Sequence, residues 1–164
     1  MHHTPQRVAV LADSQNLYHS AQDNFNKNVD YNALLDTAVA NRNLTRAIAY
    51  VITTNNGQAE PFFEALEQIG FERKKKPIKT FPDGTKKADW DVGISLDAVT
   101  LANHVDTIVL ASGDGDFSRL CSHLRQKGVR VEIMSFKSTT ASELISSADE
   151  HTNLGANPER YLVD

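Results

Sequence analysis

The chain has 164 residues, 40% of them hydrophobic and 23% charged, which is the composition of one ordinary folded domain and excludes a disordered chain. Its net charge of −4 argues against a dedicated nucleic-acid binder, and its one cysteine, Cys121, excludes an internal disulfide. No apolar run approaches the roughly 18 residues of a membrane span, so the expectation is a cytoplasmic protein without a membrane partner.

Met1–Pro5 shows no signal-peptide core, and its two histidines stay outside any site reasoning. Val8–Ala12 is a continuous apolar run, as expected of a strand buried on both faces. A helix is predicted from Ser14 toward Phe25, and a second over Tyr31–Val39. Ala47–Ile52 reads as another buried strand, and Asn55-Asn56-Gly57 as a turn. Phe62, Leu66 and Ile69 mark a helix closed by Gly70. Phe71–Phe81 reads as an extended strand, followed by a Pro82-Asp83-Gly84 turn. Ala88–Asn103 is predicted as a long helix, apolar nearly all round and therefore buried. Thr107–Ala111 is a buried strand, and Phe117–Lys127 an amphipathic helix capped by Gly128. Cys121 falls on its apolar stripe and is read as core. Val129–Phe136 is predicted as the last strand, Leu144 to Ala148 as a short helix, and the tail from Asn153 shows little pattern. Strands alternate with helices, which implies parallel pairing, right-handed crossovers and a three-layer α/β/α sandwich. One domain over residues 1–164 is expected, with its core at about 7–149.

In an open parallel sheet, sites form outside the carboxyl ends of the strands. Asp13-Ser14-Gln15-Asn16 follows the first strand, and Ser112-Gly113-Asp114-Gly115-Asp116 follows Thr107–Ala111. The intervening helix adds Asp89, Asp91 and Asp97. Each of Asp13, Asp114 and Asp116 is explained singly as a helix cap. Caps do not explain acids at two strand ends together with acids on an apolar helix. A divalent cation with oxygen ligands removes the cost of burying such charge. Asp91 and Asp97 stand six residues apart, about 240° around a helix, so both reach one cation only if Asp91 lies in the first turn or before it. The six histidines form no zinc spacing, Ser112 lacks a base and reads as a turn residue, and no Walker lysine or complete dinucleotide fingerprint is present.

These segments resemble a known family. Asp13-Ser14-Gln15-Asn16 resembles the opening Asp-x-x-Asn motif of the NYN domain. Lys87-Ala88-Asp89-Trp90-Asp91-Val92 with Asp97 resembles its lysine, acid and second-acid segment. Ser112-Gly113-Asp114-Gly115-Asp116-Phe117 resembles its Ser-Gly-Asp-x-Asp-Phe motif. Order and spacing are similar to those of the LabA-like branch over roughly Arg7 to Asp149. The resemblance implies a PIN-like sandwich with a mainly parallel central sheet and an acidic pocket for Mg²⁺ or Mn²⁺. It makes Asp13, Asp97 and Asp114 primary metal ligands, with Asp91 and Asp116 completing the acidic set and Asn16 positioning a ligand, water or phosphate. Lys87 stands four residues before Asp91, a departure from the family's Lys-Gly-x-Asp spacing that leaves Asp89 and Asp91 as alternatives.

From Arg73 to Lys87 the chain carries Arg73, Lys74, Lys75, Lys76, Lys79, Lys86 and Lys87 against Asp83 alone, so the segment is +6 and the remainder −10. The run is either a solvated face or a phosphate-contacting patch for RNA. Trp90 either stacks a base or packs in the core. The leading expectation is metal-dependent phosphodiester hydrolysis by a ribonuclease. The alternative is a non-catalytic RNA- or protein-binding regulatory module, and a third reading is a small nucleotide phosphoesterase. A homodimer is compatible with the class, though no feature of the sequence requires it.

Overall fold

The structure, a computed structural model, describes residues 6–54, 57–84, 86–87 and 89–164, with Lys86 and Lys87 described by backbone alone. The predicted Asn55-Asn56 turn, the start of a helix at Ala88, and the side chains of Lys86 and Lys87 lie outside the described residues.

The chain begins β1 (Arg7–Asp13), α1 (Ser14–Phe25), β2 (Asn28–Val29), α2 (Tyr31–Val39), β3 (Asn43–Thr53), α3 (Glu60–Ile69) and β4 (Glu72–Pro77). A short antiparallel ribbon, β5 (Lys79–Thr80) with β6 (Lys86–Lys87), precedes α4 (Asp91–Leu101). There follow β7 (Thr107–Ala111), α5 (Ser118–Gln126), β8 (Arg130–Ser135), α6 (Ser142–Ser147), β9 (Glu150–Asn153), α7 (Pro158–Tyr161) and β10 (Leu162–Val163).

Six strands form one sheet in the order β4-β3-β1-β7-β8-β9, and every neighbouring pair is parallel. Alternation along β1 explains the three layers. Val8, Val10 and Ala12 face a core built with Leu17, Leu34, Phe63 and Leu66, whereas Ala9 and Leu11 face one built with Ile94, Phe117, Leu124 and Leu144. A strand buried on both faces cannot afford a polar position, hence the unbroken apolar run. After β1 the chain builds outward through β3 and β4. It then returns to the other side of β1 and builds through β7, β8 and β9. The topological switch therefore lies between β1 and β7, where parallel sheets open a crevice at their carboxyl ends.

Three expectations need correction. The helix predicted from Ala88 begins at Asp91 and ends at Leu101, and it is not buried all round. Ile94, Ala98 and Leu101 face the core, while Val92 and Leu96 are 72% and 65% exposed. Val129–Phe136 is not the last strand, because β9 adds a parallel edge beyond it. The tail is structured too: β10 pairs with β2, and Leu154, Tyr161 and Leu162 are buried in the first core.

Tyr161 also brings its hydroxyl to Thr37 Oγ1 at 3.1 Å. Deleting residues 158–164 removes two core side chains and this contact. The expected loss is about 3–5 kcal/mol, read as a lower urea midpoint. An unchanged midpoint would show that the tail is an appendage.

Candidate metal centre

Four carboxylates meet at the switch point. Asp13 ends β1 and is only 7% exposed. Its Oδ1 accepts the Asn16 N–H at 3.4 Å, capping α1, and its Oδ2 accepts the Ser112 hydroxyl at 3.1 Å. Ser112 immediately follows β7 and is fully buried; its oxygen also accepts the Asp114 N–H at 3.2 Å. Asn16 Oδ1 accepts the Gly113 N–H at 2.9 Å, and Asp114 Oδ1 accepts the Asp116 N–H at 2.9 Å. The loop after β7 is thus tied to the end of β1 by two side chains of the first motif. A side chain at Gly113 would bring Cβ to 2.8 Å from Thr140 Oγ1 and 3.3 Å from the Thr139 carbonyl, so only glycine fits the close approach of the loop before α6.

Asp91 opens α4, and Asp89 Oδ1 accepts its N–H at 3.3 Å. Asp91 joins Asp114 and Asp116 in a group whose carboxylate oxygens lie within 4.8 Å of one another, and Asp89 stands beside that group. Oxygen donors so grouped suit a hard divalent cation, and this acidic triad could bind one. Caps and site are the same residues here, since Asp13 and Asp114 cap their helices and face the cluster as well.

Crowding shows in the acidities. Burial pushes the Asp13 carboxyl up to about 6 against the lowering hydrogen bonds of Ser112 and Asn16, with Asp114 and Asp89 adding repulsion. Desolvation, then the charges of Asp114, Asp89 and Asp13, push Asp91 up to about 7.

The other predicted residues fall elsewhere. Asp97 Oδ2 accepts the Lys74 ammonium and the Tyr50 hydroxyl, each at 2.7 Å, over β3 and β4. Trp90 donates its indole N–H to the Val51 carbonyl at 3.0 Å and packs against Tyr50 at 5.3 Å, which is a packing role. Along β4, Arg73 pairs with Glu67 at 3.1 Å and Lys75 with Glu60 at 3.9 Å, while Lys76 donates to the Asp89 carbonyl at 2.7 Å. Because β4 is an edge strand, its lysines also guard against pairing with another sheet. Lys79, in the ribbon, is exposed. Ser112 was the residue underrated as a turn former; its place directly after a buried strand, between two acids, was the available signal.

Both raised carboxyls hold protons in the folded chain where an unfolded aspartate has lost them. Between the unfolded value of 3.8 and the folded values of about 6 and about 7, the folded state binds more protons. Stability of the metal-free protein therefore falls as pH rises. Its melting temperature should drop by on the order of 5 °C from about pH 5 to about pH 8, and Mn²⁺ should restore it at the higher pH. A profile rising with pH would contradict this crowding.

A sequence model of the NYN domain matches residues 7–155. The Low amplitude and bright protein LabA of Synechococcus elongatus is 30% identical over 159 residues, covering 92% of this chain and 84% of that protein. The crystal structure of a protein of unknown function from Vibrio parahaemolyticus superposes with a TM-score of 0.91 at 34% identity, covering 99% of both chains.

Proposed function

The chain belongs to the NYN domain family, within the PIN-like nuclease superfamily, and from that premise we propose that it is a metal-dependent nuclease that hydrolyses phosphodiester bonds, with RNA as its substrate. The observation that carries this reading is the convergence of Asp91, Asp114 and Asp116, with the charge of Asp13 acting on Asp91, at the switch point between β1 and β7.

Asp91, Asp114 and Asp116, with Asp13 behind them, would hold Mg²⁺ or Mn²⁺. Bound there, a divalent cation supplies Lewis-acid stabilisation of charge on the phosphoryl group. Ser112 and the Asn16 N–H hold the Asp13 carboxylate in one orientation. Asn16 Oδ1 fixes the 112–116 loop through the Gly113 N–H, and so sets where Asp114 stands. No side-chain nucleophile is required for hydrolysis by water.

A polymer fits the site better than a free nucleotide. Asp116 is exposed and Asp91 and Asp114 are half-buried, so the cluster lies on open surface. Cavities of about 610 and 520 Å³ are lined by residues such as Arg125 and Arg130, or Thr37 and Arg160, away from the acids. Lys79, together with Lys86 and Lys87, is the part of the basic run we assign to phosphate. The internal pairing along β4 favours a second reading, a binding module with little electrostatic hold on RNA.

Labelled single-stranded and hairpin RNA with Mn²⁺ or Mg²⁺ distinguishes the two. The wild type should cut both metal-dependently, and Asp114→Asn should lose at least about 100-fold in rate while remaining folded. Equal inertness of wild type and variant across substrates would leave the binding module as the better account.

A further inference from the structure

Helix α4 stands under electrostatic load. Its first residue, Asp91, faces the charges of Asp114 and Asp13 at the strand ends. Like charges at such spacing repel, and the repulsion acts to push the helix off the sheet. Apolar burial opposes this with few side chains, because Val92 and Leu96 point to solvent and only Ile94, Ala98 and Leu101 are buried.

Three polar anchors make up the difference, and all run to β3 or β4. At the N-terminus the Trp90 indole N–H meets the Val51 carbonyl at 3.0 Å. Lys76 Nζ meets the Asp89 carbonyl at 2.7 Å and lies 4.8 Å from the Trp90 ring. The Trp90 ring folds back over Gly93, where an added Cβ would stand 2.6 Å from its Cε3. In mid-helix, one oxygen of Asp97 receives both the Lys74 ammonium and the Tyr50 hydroxyl at 2.7 Å. The six-residue offset turns Asp97 about 240° away from Asp91. One acid of the helix is thereby directed to the β7 loop and the other to β3 and β4.

We propose that Asp97 is a positioning residue and not a metal ligand: its bonds to Lys74 and Tyr50 clamp α4 to β3 and β4 so that Asp91 reaches Asp114 and Asp116. The inference rests on the acid cluster being the cation site. It assigns to Lys74 an internal partner in place of a phosphate. It also explains why an acid on the inner side of this helix meets the one hydroxyl of the buried segment Ala47–Val51 of β3.

The test is Mn²⁺ affinity of the full chain, measured by titration calorimetry without any substrate, with circular dichroism confirming the fold of each variant. Asp91→Asn should weaken binding most. Asp97→Asn and Lys74→Met should each weaken it by about 10-fold, the scale of groups that orient ligands. The exchange of the pair, Lys74→Asp with Asp97→Lys, should recover most of that loss, because it rebuilds the ion pair while removing the carboxylate from position 97. A ligand could not be rescued by lysine. Recovery therefore establishes the clamp. If the exchanged variant binds no better than Asp97→Asn, and Lys74→Met binds as wild type does, Asp97 is a ligand and the proposal is wrong. Should Asp97→Asn fail to fold, Lys74→Met still decides: wild-type affinity there overturns the clamp, and weakened affinity supports it. Failure of the wild type to take Mn²⁺ would instead remove the cation site itself, and this inference with it.

Discussion

Mutual repulsion among carboxylates at the carboxyl edge of the sheet is the constraint around which the rest is arranged. Asp13 is nearly buried, yet one oxygen is held by a buried serine and the other by a backbone N–H. Asp114 accepts the N–H of Asp116 in the same loop. The bonds to Asp13 soften its desolvation cost without cancelling it, so burial and then the neighbouring charges still push Asp13 up to about 6, and burial with the same crowding pushes Asp91 up to about 7. A structure selected for stability alone would place cations here. Among the described residues, serine, asparagine and glycine hold the acid-bearing segments here, groups that fix geometry and leave the negative charge in place.

The opposite edge of the same sheet shows the contrast. Arg42, just before β3, grips Glu132 through two nitrogens at 2.8 and 2.9 Å; Arg130 joins Glu132 at 2.8 Å and Glu150 at 2.7 Å. Arg7 and Asp106 close the starts of β1 and β7, with the Arg7 N–H at 2.8 Å from the carboxylate. Among the described residues, these charges at the amino edge are matched by ion pairs, and the clustered acids at the carboxyl edge are not. Two edges of one sheet, with the same strands and opposite electrostatic treatment, separate what holds the fold from what is left for a ligand.

Much of this was legible in the sequence, for definite reasons. The runs 8–12 and 108–111 leave no polar position, as central parallel strands require, and the two pair directly, which brings the acids that follow them together. Helical spacing gave the angle between Asp91 and Asp97 but not which strand each would face, and the 2.7 Å contacts of Asp97 depend on a tyrosine and a lysine from β3 and β4. The exposure of Val92 and Leu96 was equally invisible, since apolar side chains are common on surfaces and burial is a property of neighbours. The lysines of β4 read as a patch because sequence shows charge but not its partner; Glu60, Glu67 and Asp97 come from two helices. The tail was missed because its buried side chains, Leu154, Tyr161 and Leu162, follow no single period.

On the proposed reading, these charges couple cation and nucleic acid. The chain is net negative, and its acids concentrate where a phosphate would have to sit. Alone, that surface repels a polyanion, and the internally paired lysines of β4 do little to offset it. A cation held by the acids offsets part of that charge and offers a phosphate oxygen a direct ligand, so its binding and that of a phosphate favour one another, and by linkage each raises the affinity of the other equally. The clamp on α4 then matters to both, since any drift of Asp91 loosens the cation and, through it, the phosphate. Carboxylate crowding that destabilises the empty site is thus the same feature that makes the loaded site selective for the pair.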